Sequence, residues 1–521
     1  MKKTPAALVI ILILNVLLAS IAAVEKKGPR HISLNLLEDK IRGGWAGQMI
    51  GVSYGAPTEF RALSKILESE ITWAPEWVSN AIQQDDLYVE MTFAEVMDTK
   101  GLNATSEQYG EMFKDSKYSL WHANAAARRL LNNGVKAPLS GDPRYNSHAN
   151  DIDFQIESDF IGLMSPGLPR EAHKYADRVG RVMNYGDGLY GGMFFGGMYA
   201  AAFFEQEVRQ VVEMGLAGIP AKSRYGRIIR DLLDWSAKYP DDWKKTWQLI
   251  EEKWDKDDPC PDGALRPFNI DASINGAYVA LGLIYGKKDF GKTLEIATRA
   301  GQDSDCNPSS AAGILGVMIG YAKIPDFYKG GIPKLADTKF EFTNYSFNSI
   351  CASTMERAKK VILSAGGKIA DSEVTIPFQS PRPPRLEQWS PGIPDKRISF
   401  GNLAFSWKGQ WTEETGQDQR PVGRKAEGAG AEATLNFTGV AIILVGQCSQ
   451  SGGKADVYLD GKKAGEINAY IVPRTNDNSL WHAFGLKQGP HTLRIVPRSD
   501  SDPRSSGRKI VVSEAIIFRS L

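Results

Sequence analysis

The sequence predicts a multidomain protein in which an all-α domain is followed by an all-β jelly-roll sandwich. From residue 32 to about residue 365, apolar residues recur every three or four positions, which is the period of an amphipathic helix. A proline-rich stretch follows, and beyond it short apolar runs alternate with turn residues, as in an antiparallel sandwich. The chain has 521 residues, and at roughly 150 residues per domain this length allows two to four domains.

Composition and charge limit the partners of this chain. Apolar residues make up 42% and charged residues 24% of the sequence, which is typical of a globular protein and not of a disordered or multi-span membrane protein. The 62 basic residues outnumber the 61 acidic residues by one, so the net charge is +1. This balance creates no global field that would attract nucleic acid or an anionic membrane. We therefore expect neither as a partner, and the oligomeric state stays open.

The first residues have the pattern of a cleaved export signal. Lys2 and Lys3 precede an uncharged apolar stretch, which ends in small residues at Ser20–Ala23. We expect residues 1–23 to be removed, which would leave a periplasmic or secreted protein without a membrane anchor. Export would permit one or two disulfides among the four cysteines, and three full pairings are open. These cysteines are Cys260, Cys306, Cys351 and Cys448.

The domain over residues 31–365 is predicted to be helical throughout. Its first helix has an apolar face formed by Leu34, Leu37, Ile41 and Trp45. Three further helices are rich in glycine and alanine, and glycine destabilises a helix unless close packing requires it. These helices cover Gly191–Phe204, Ala272–Tyr285 and Ser309–Tyr321. We therefore expect helix axes to approach each other closely in this core.

The C-terminal part has the spacing of an all-β domain. Residues 366–397 contain six prolines, a density that disfavours helices and central strands, and we predict a linker there. Residues 398–521 follow as the β domain, with carbohydrate binding as its candidate role. Asp460–Gly461 is a two-residue hairpin signal, and Gly489–Thr492 is predicted as a turn. The predicted strands are Leu435–Val445, Ala455–Leu459, Thr492–Val496 and Ile510–Phe518.

Three acidic motifs stand out in the helical domain. Glu59 lies on a loop after the first helix, where an isolated glutamate is usually solvated. Two aspartate pairs precede predicted helices: Asp85 with Asp86 ahead of a helix over Leu87–Met97, and Asp303 with Asp305 ahead of the helix from Ser309. One carboxylate can cap a helix, but two at the same helix start repel each other unless a cation is bound. Mg²⁺ and Mn²⁺ prefer such oxygen ligands, so the pattern indicates a two-metal carboxylate site.

Together these motifs resemble the ADP-ribosylglycohydrolase family. The resemblance rests on Ile41–Gly44 with Gly47, on Gly55–Phe60, and on the two aspartate pairs, and it covers about residues 32 to 330. It implies an all-α fold with a binuclear Mg²⁺ or Mn²⁺ centre. It further implies hydrolysis of a glycosidic bond to ribose, commonly the N- or O-link of an ADP-ribosyl group. The expected substrate is therefore a small molecule or a glycan.

The resemblance also assigns roles to single residues. It implies that the four aspartates hold the metals, and that Asp86 and Asp303 belong with Glu59 to the catalytic centre near the scissile bond. Gln84 and Cys306 occupy metal-site positions where the family usually has serine or threonine. Gln84 still offers a carbonyl oxygen, but a thiol is a poor ligand for Mg²⁺. Occupancy by one or by two ions is therefore open.

Further polar residues of the helical domain are candidates for substrate binding. They are His122, Asn124, Asp153, Tyr185 and Asp187. The acidic run over residues 146–159, which includes Asp153, more commonly forms a solvated loop. Tyr185 and Asp187 lie in a loop where the family places pocket residues.

The β domain resembles galactose-binding-like and jelly-roll carbohydrate-binding modules. Its tryptophans Trp407, Trp411 and Trp481 could stack on sugar rings or fill the core. The sequence thus predicts an exported, metal-dependent glycoside hydrolase. A catalytically silent sugar-binding protein is the alternative that Gln84 and Cys306 favour. A two-metal phosphoesterase fits less well, because such sites often use histidine ligands and the chain has only six histidines.

Overall fold

A computed structural model describes residues 28–472 and 475–520. In this part of the chain a helical domain is followed by two antiparallel sheets, which confirms the predicted fold class. The predicted export signal, residues 1–23, lies outside the described residues. None of the described helices combines the length and the apolar character that crossing a membrane requires.

The helical domain consists of helices that surround a large apolar core. Their bounds are α1 Leu34–Gly55, α2 Asp85–Lys100, α3 Ser106–Lys114, α4 His122–Asn132, α5 Asp153–Ile156, α6 Asp159–Leu163, α7 Pro169–Gly180, α8 Asp187–Ala202, α9 Val208–Ala217, α10 Arg224–Lys238, α11 Trp243–Trp254, α12 Ala272–Gly286, α13 Phe290–Arg299, α14 Cys306–Ile319, α15 Asp326–Lys329, α16 Ile332–Leu335 and α17 Phe347–Ser364. Short 3₁₀ helices cover Ala56–Thr58, Pro75–Gln83, Leu139–Gly141 and Tyr321–Lys323. The helices predicted from residues 87, 191, 272 and 309 onwards are confirmed as α2, α8, α12 and α14.

Helices α1 and α14 cross at the shortest distance that backbones allow. Glycines recur every four residues along one face of α1 and leave no room for a side chain there. A Cβ atom on Gly47 would lie 2.1 Å from the carbonyl oxygen of Ala312, and one on Gly51 would lie 2.2 Å from that of Pro308. This confirms the predicted close approach of helix axes. The contact holds the end of α1, and the loop that follows it, against the start of α14.

The span predicted as a linker contains regular structure at both ends. Strand β3 (Glu373–Ile376) pairs with both β1 (Arg30–Ser33) and β2 (Lys368–Ala370) in a small antiparallel sheet beside the helices. Residues 377–392 contain no helix or strand, as their prolines predict. The sandwich begins with β4, Ile393–Ser399.

Two antiparallel sheets enclose the core of the β domain. One has the strand order β11-β10-β13-β8-β5, and the other has the order β12-β9-β14-β7-β6 with β4 paired to β14. The strands after β4 are β5 Phe405–Lys408, β6 Thr412–Thr415, β7 Pro421–Glu427, β8 Glu432–Gly439, β9 Ala441–Cys448, β10 Gly453–Leu459, β11 Lys462–Asn468, β12 Thr475–Ala483, β13 Gly489–Ser501 and β14 Lys509–Arg519.

Two details of the predicted β domain are wrong, and one is confirmed. The single strand predicted over Leu435–Val445 is two strands, because the chain crosses from one sheet to the other at Val440. Gly489–Thr492 is not a turn but the start of β13, where its backbone pairs with β8. Asp460–Gly461 forms the predicted hairpin between β10 and β11, with positive φ at both residues.

The tryptophans of the β domain pack against its core. Trp407 stacks on Phe405, with ring centroids 5.2 Å apart, and meets Trp411 edge-on at 4.8 Å. The Arg424 guanidinium lies 5.2 Å from the centroid of the Trp407 ring. Trp481 also packs against this core. These contacts favour a packing role over sugar stacking for Trp407.

Candidate active site

A cavity of about 220 Å³ lies where α1 ends and where α2, α4 and α14 begin. The predicted site residues that line it are Glu59, Gln84, Asp85, His122, Asn124, Asp153, Asp303 and Cys306. Apolar and aromatic side chains complete the wall: Phe60, Tyr88, Trp121, Ile152, Ile156 and Ile270. Three motifs that are far apart in sequence therefore share one cavity.

The two aspartate pairs meet through Asp305. Ligand atoms of Asp86, Asp305 and Cys306 lie within 4.8 Å of one another, and so do those of Glu59, Asp303 and Asp305. Asp305 belongs to both groups, as a carboxylate between two neighbouring cations would. The sharing follows from the fold, because α2 and α14 both point their N-termini at the cavity.

The carboxylates of these groups have a deficit of hydrogen-bond donors. Both side-chain oxygens of Asp86, and one oxygen each of Asp303 and Asp305, are buried without a hydrogen bond to a described residue. Among the main influences on the pKa of Asp86, the contact with the Cys306 thiol is the one that lowers it. Burial, followed by neighbouring negative charges, raises the pKa of Asp86 and of Asp305 well above the usual value. A bound divalent cation would offset this cost.

The donor atoms fit such a cation to different degrees. The group of Glu59, Asp303 and Asp305 offers only oxygen ligands, which suit Mg²⁺ or Mn²⁺. The group that contains Cys306 includes a thiol, and burial raises the pKa of that thiol well above its usual value. This half of the centre is therefore less suited to Mg²⁺. Gln84 lines the cavity, and its amide nitrogen donates to Asn80 at 2.7 Å.

Glu59 lies at the rim of the cavity on a loop that is tied to the second aspartate motif. The hydroxyls of Thr58 and Ser304 are hydrogen-bonded at 2.8 Å, and the backbone N–H of Phe60 donates to Gln302. Reduced hydration in the cavity, together with the charges of Asp305 and Asp85, raises the pKa of Glu59 to about 7. Glu59 is thus placed and tuned to exchange a proton near neutral pH.

His122 carries positive charge in the opposite wall. Its Nδ1 lies 2.8 Å from the carboxylate of Asp262 and 3.9 Å from that of Asp151. Burial lowers the pKa of His122, but the hydrogen bond to Asp262 and nearby carboxylates outweigh this effect and raise it to about 10. The pKa of Asp262 falls to about 2, because the contact with His122 outweighs burial. The pair is therefore an imidazolium and a carboxylate at neutral pH.

Asp153 and Asn124 are held by the start of α4. The Asp153 carboxylate accepts the backbone N–H groups of Ala123 and Asn124, at 3.2 and 2.9 Å. The Asn124 side chain donates to Glu157, which is 1% exposed. Burial raises the pKa of Asp153 to about 6 and that of Glu157 well above its usual value. Asn124 and Asp153 therefore both line the cavity beside the start of α4.

The prediction of a solvated loop over residues 146–159 is wrong. Asp151 and Asp159 are completely buried, and Asp153 is 5% exposed. Asp159 accepts a hydrogen bond from the Tyr199 hydroxyl at 2.7 Å, and the buried Glu90 accepts the backbone N–H of Phe160 at 2.9 Å. Local polarity does not reveal burial of this kind, because helices distant in sequence provide the cover.

Tyr185 and Asp187, the remaining predicted substrate-binding residues, do not line this cavity. Asp187 begins α8, and its carboxylate accepts the backbone N–H of Tyr225 at 3.0 Å. It borders a separate cleft with Glu387 and Trp389, beyond the helical core. The Tyr185 ring lies near the Arg181 guanidinium, with 5.8 Å to the ring centroid. Both residues are occupied in structural contacts.

The sequence did not reveal Asp262 or the loop that carries it. Nothing near Asp262 marks it as a site residue, and it lies 140 positions from His122. The β domain holds this loop, because the Arg397 guanidinium donates to the carbonyls of Pro261, Asp262 and Ala264. All four cysteines are buried and free, so none of the possible disulfides is present.

Comparisons with known proteins identify a family for the helical domain. A sequence profile described as ADP-ribosylglycohydrolase matches residues 33–351, which is more than half of the chain. A solved structure described as an ADP-ribosylglycohydrolase-related protein complex is 13% identical and covers 63% of this chain and 99% of that chain, with a TM-score of 0.42.

Two curated relatives come from Flavonifractor plautii. An A type blood N-acetyl-alpha-D-galactosamine deacetylase is 34% identical over 138 residues, which cover 26% of this chain and 17% of the relative. An A type blood alpha-D-galactosamine galactosaminidase is 36% identical over 94 residues, which cover 18% of this chain and 8% of the relative. The chain thus spans less than a fifth of the length of either relative.

Proposed function

Because the chain belongs to the ADP-ribosylglycohydrolase family, we propose that it is an exported, metal-dependent glycoside hydrolase. Its target would be an N- or O-glycosidic bond to ribose, to ADP-ribose or to a related sugar. The observation that carries the proposal is that Glu59, Asp85 and Asp303 line one cavity. Asp86 and Asp305 lie next to these residues, with buried carboxylate oxygens that have no hydrogen bond.

The residues that would hold Mg²⁺ or Mn²⁺ are Asp86, Asp303 and Asp305, and Glu59 lies beside Asp303 and Asp305. When bound, a divalent cation polarises oxygen atoms of the substrate and lowers the pKa of water. Because Cys306 makes one half of the centre a poorer site for Mg²⁺, we expect one ion to bind more firmly than the second. The carboxylate oxygens that have no hydrogen bond would ligate the cation. Its positive charge would offset the cost of burying the negative charges of the carboxylates.

The protein's own groups provide the remaining chemistry. With a pKa of about 7, Glu59 can take a proton from the attacking water and hold it at a carboxylate oxygen. The carboxylates around it stabilise positive charge that develops at the sugar carbon when the glycosidic bond breaks. The imidazolium of His122, across the cavity, favours an oxygen-rich or anionic part of the substrate.

The shape of the site supports a sugar as substrate. The Trp121 side chain is 53% exposed at the cavity, where its ring offers an apolar face to a sugar. Polar groups of Gln84 and Asn124 line the same cavity and suit sugar hydroxyls. The names of the two relatives concern galactosamine-containing blood-group sugars, so the substrate panel includes galactosaminides as well as ribosides.

The test measures sugar release by the purified chain from ADP-ribosyl-arginine, ADP-ribosyl-serine, and aryl furanosides and pyranosides that include galactosaminides. Each reaction contains Mg²⁺, Mn²⁺ or a chelator. We expect release that requires metal and that falls by at least about a hundredfold in Asp303→Asn, since general acid–base and metal contributions of this size are typical. The matched control is Asp326→Asn. The Asp326 side chain is 94% exposed and pairs with Lys329, and neither residue lines the cavity.

The outcomes separate the two candidate functions. Release that persists in chelator, or that Asp303→Asn leaves unchanged, contradicts the proposed site. Saturable sugar binding without release from any member of the panel, in a chain that also takes up no metal, supports the catalytically silent sugar-binding protein. Export is tested separately, by fractionating cells that express the full chain and locating the processed form.

A further inference from the structure

A second cluster of buried ligand atoms lies behind the cavity, in the loop that the β domain holds. It consists of Asp258, Cys260 and Asp271, whose ligand atoms lie within 4.8 Å of one another. All three residues are buried, at 6%, 1% and 0% exposure. None of them belongs to the acidic motifs of the cavity, and the chemistry proposed above does not use them.

Each carboxylate of this cluster keeps one oxygen without a hydrogen bond. One oxygen of Asp258 accepts the backbone N–H of Cys260 at 2.9 Å, and one oxygen of Asp271 accepts the backbone N–H of Ser273 at 2.9 Å. The second oxygen of each is buried without a hydrogen-bond partner among the described residues. Leaving a buried acceptor unsatisfied is costly, so a ligand at this place would stabilise the fold.

The neighbouring donors do not remove this deficit. The Arg224 guanidinium lies 4.0 Å from the oxygen of Asp271 that is already hydrogen-bonded. The Cys260 thiol interacts with both Asp151 and Asp258, but a thiol carries one proton and can donate to only one of them. Asp151 is itself paired with His148 at 2.7 Å through one oxygen, and its other oxygen is also unpartnered.

The backbone fixes the cluster before any ligand binds. Asp151 and Asp271 form a short antiparallel bridge, in which Ile152 N–H donates to Ile270 at 3.0 Å. The turn after Cys260 closes tightly, and a Cβ atom on Gly263 would lie 1.8 Å from the free oxygen of Asp258. Glycine is therefore required where this oxygen passes the backbone.

We propose that Asp258, Cys260 and Asp271 form a second metal site that binds Zn²⁺. Zinc accepts thiolate sulfur and carboxylate oxygen together, whereas Mg²⁺ and Ca²⁺ prefer oxygen ligands alone. Binding would deprotonate the Cys260 thiol and release its proton to solvent, and one carboxylate oxygen each of Asp258 and Asp271 would ligate the metal. Asp151 borders the same thiol on the side of His148.

The site would brace the loop behind the cavity. Asp258 and Cys260 precede Asp262, the partner of His122, by four and two residues, and Asp271 begins α12. A zinc ion that joins these points would tie the loop to a rigid helix. Its role is therefore structural, and it is distinct from that of the ion proposed at the cavity.

The test uses Co²⁺ as a spectroscopic probe for the purified full chain after removal of metal with a chelator. We expect thiolate-to-cobalt charge-transfer absorption that saturates at one equivalent and that added Zn²⁺ abolishes. Cys260→Ser should lose this absorption. Cys306→Ser is the matched control, because it removes the buried thiol at the cavity instead. This variant should keep the charge-transfer absorption.

Each outcome decides the proposal independently of sugar release. Absence of the absorption from the folded wild-type chain, or its loss in Cys306→Ser, overturns the assignment. If Cys260→Ser does not fold, Asp258→Asn keeps the thiol and should weaken Zn²⁺ binding by at least about tenfold, since even outer-shell partners contribute that much to metal affinity. Unchanged Zn²⁺ affinity in Asp258→Asn also overturns it.

Discussion

Replacement of Arg397 tests whether the β domain supports the wall of the cavity. The Arg397 side chain is 13% exposed and leaves β4 towards the helical domain. Its Nε donates to the carbonyl of Ala264 at 2.6 Å, and its Nη2 donates to the carbonyls of both Pro261 and Asp262. It also pairs with Glu514. Arg397→Met removes all of these bonds at nearly constant volume.

The expected loss of stability follows from these contacts. A hydrogen bond to a charged group contributes about 1.5–3 kcal/mol, so three carbonyl contacts set a gross value of about 5–9 kcal/mol. The net loss is smaller than this gross value, because water at the partly exposed edge replaces some of the hydrogen bonds. Removal of one partner from a buried ion pair costs about 3–5 kcal/mol. We expect Arg397→Met to lower the free energy of unfolding by about 3–5 kcal/mol. Arg397→Lys, which cannot span the carbonyls, should lose about half as much.

Urea unfolding at neutral pH measures the free energy, and an NMR titration measures the pKa of His122 in the folded variants. Release of the loop should lower the pKa of His122, because Asp262 no longer holds its position. Arg420→Met provides the control, since the Arg420 side chain is 85% exposed in the same domain. A loss below about 1 kcal/mol, the size of an ordinary substitution effect, with an unchanged pKa of His122 would refute the reasoning.

Three further predictions concern packing and pH. Gly47→Ala should destabilise the chain by about 3 kcal/mol, because the new Cβ would clash with the backbone of the facing helix. Gly196→Ala should stabilise the chain by about 0.5–1 kcal/mol, because the nearest atom to its new Cβ would be 3.6 Å away. Urea unfolding that finds the two variants equally stable would contradict the helix contact. Burial lowers the pKa of His482 to about 4 from 6.5, so the unfolded chain binds the extra proton and stability falls as pH drops from 6.5 to 4, by up to about 3 kcal/mol. His482→Gln should show a correspondingly smaller fall in unfolding experiments at stepped pH. Trp407→Ala should cost about 2 kcal/mol without changing the affinity of the chain for sugars, and calorimetry that finds sugar binding lost in a folded variant would support stacking instead.

The sequence predicts those features that nearby residues determine. The apolar period predicts the helices, and Asp460–Gly461 predicts its hairpin from the backbone that a two-residue turn requires. The aspartate pairs at the starts of α2 and α14 are visible because two carboxylates at one helix start need a special reason. Family resemblance then joins them to Glu59 and indicates a common site. Apart from the family resemblance, these signals lie within a few residues of the feature they predict.

The features that the sequence does not predict depend on contacts between distant segments. Asp153 and Asp159 look like part of a solvated run, and their burial results from helices elsewhere in the chain. Asp187 has the local context of a pocket residue, but its carboxylate accepts the backbone N–H of Tyr225 at the start of α10. The division of the strand at Val440 depends on the other sheet, which takes up the second half. None of these outcomes is encoded in a short window.

The β domain contacts the loop behind the cavity, although the residues that line the cavity all belong to the helical domain. Ala264 of the loop is fully buried in an apolar cluster whose other fully buried members come from β9 and β14. The same loop presents Asp262 to His122, and Asp262 keeps His122 protonated. The charge that faces the substrate thus depends on a contact that begins in the β domain. A separable sugar-binding module would not need this connection, so the contact of the sandwich with the loop favours a supporting role for the β domain, which Arg397→Met tests.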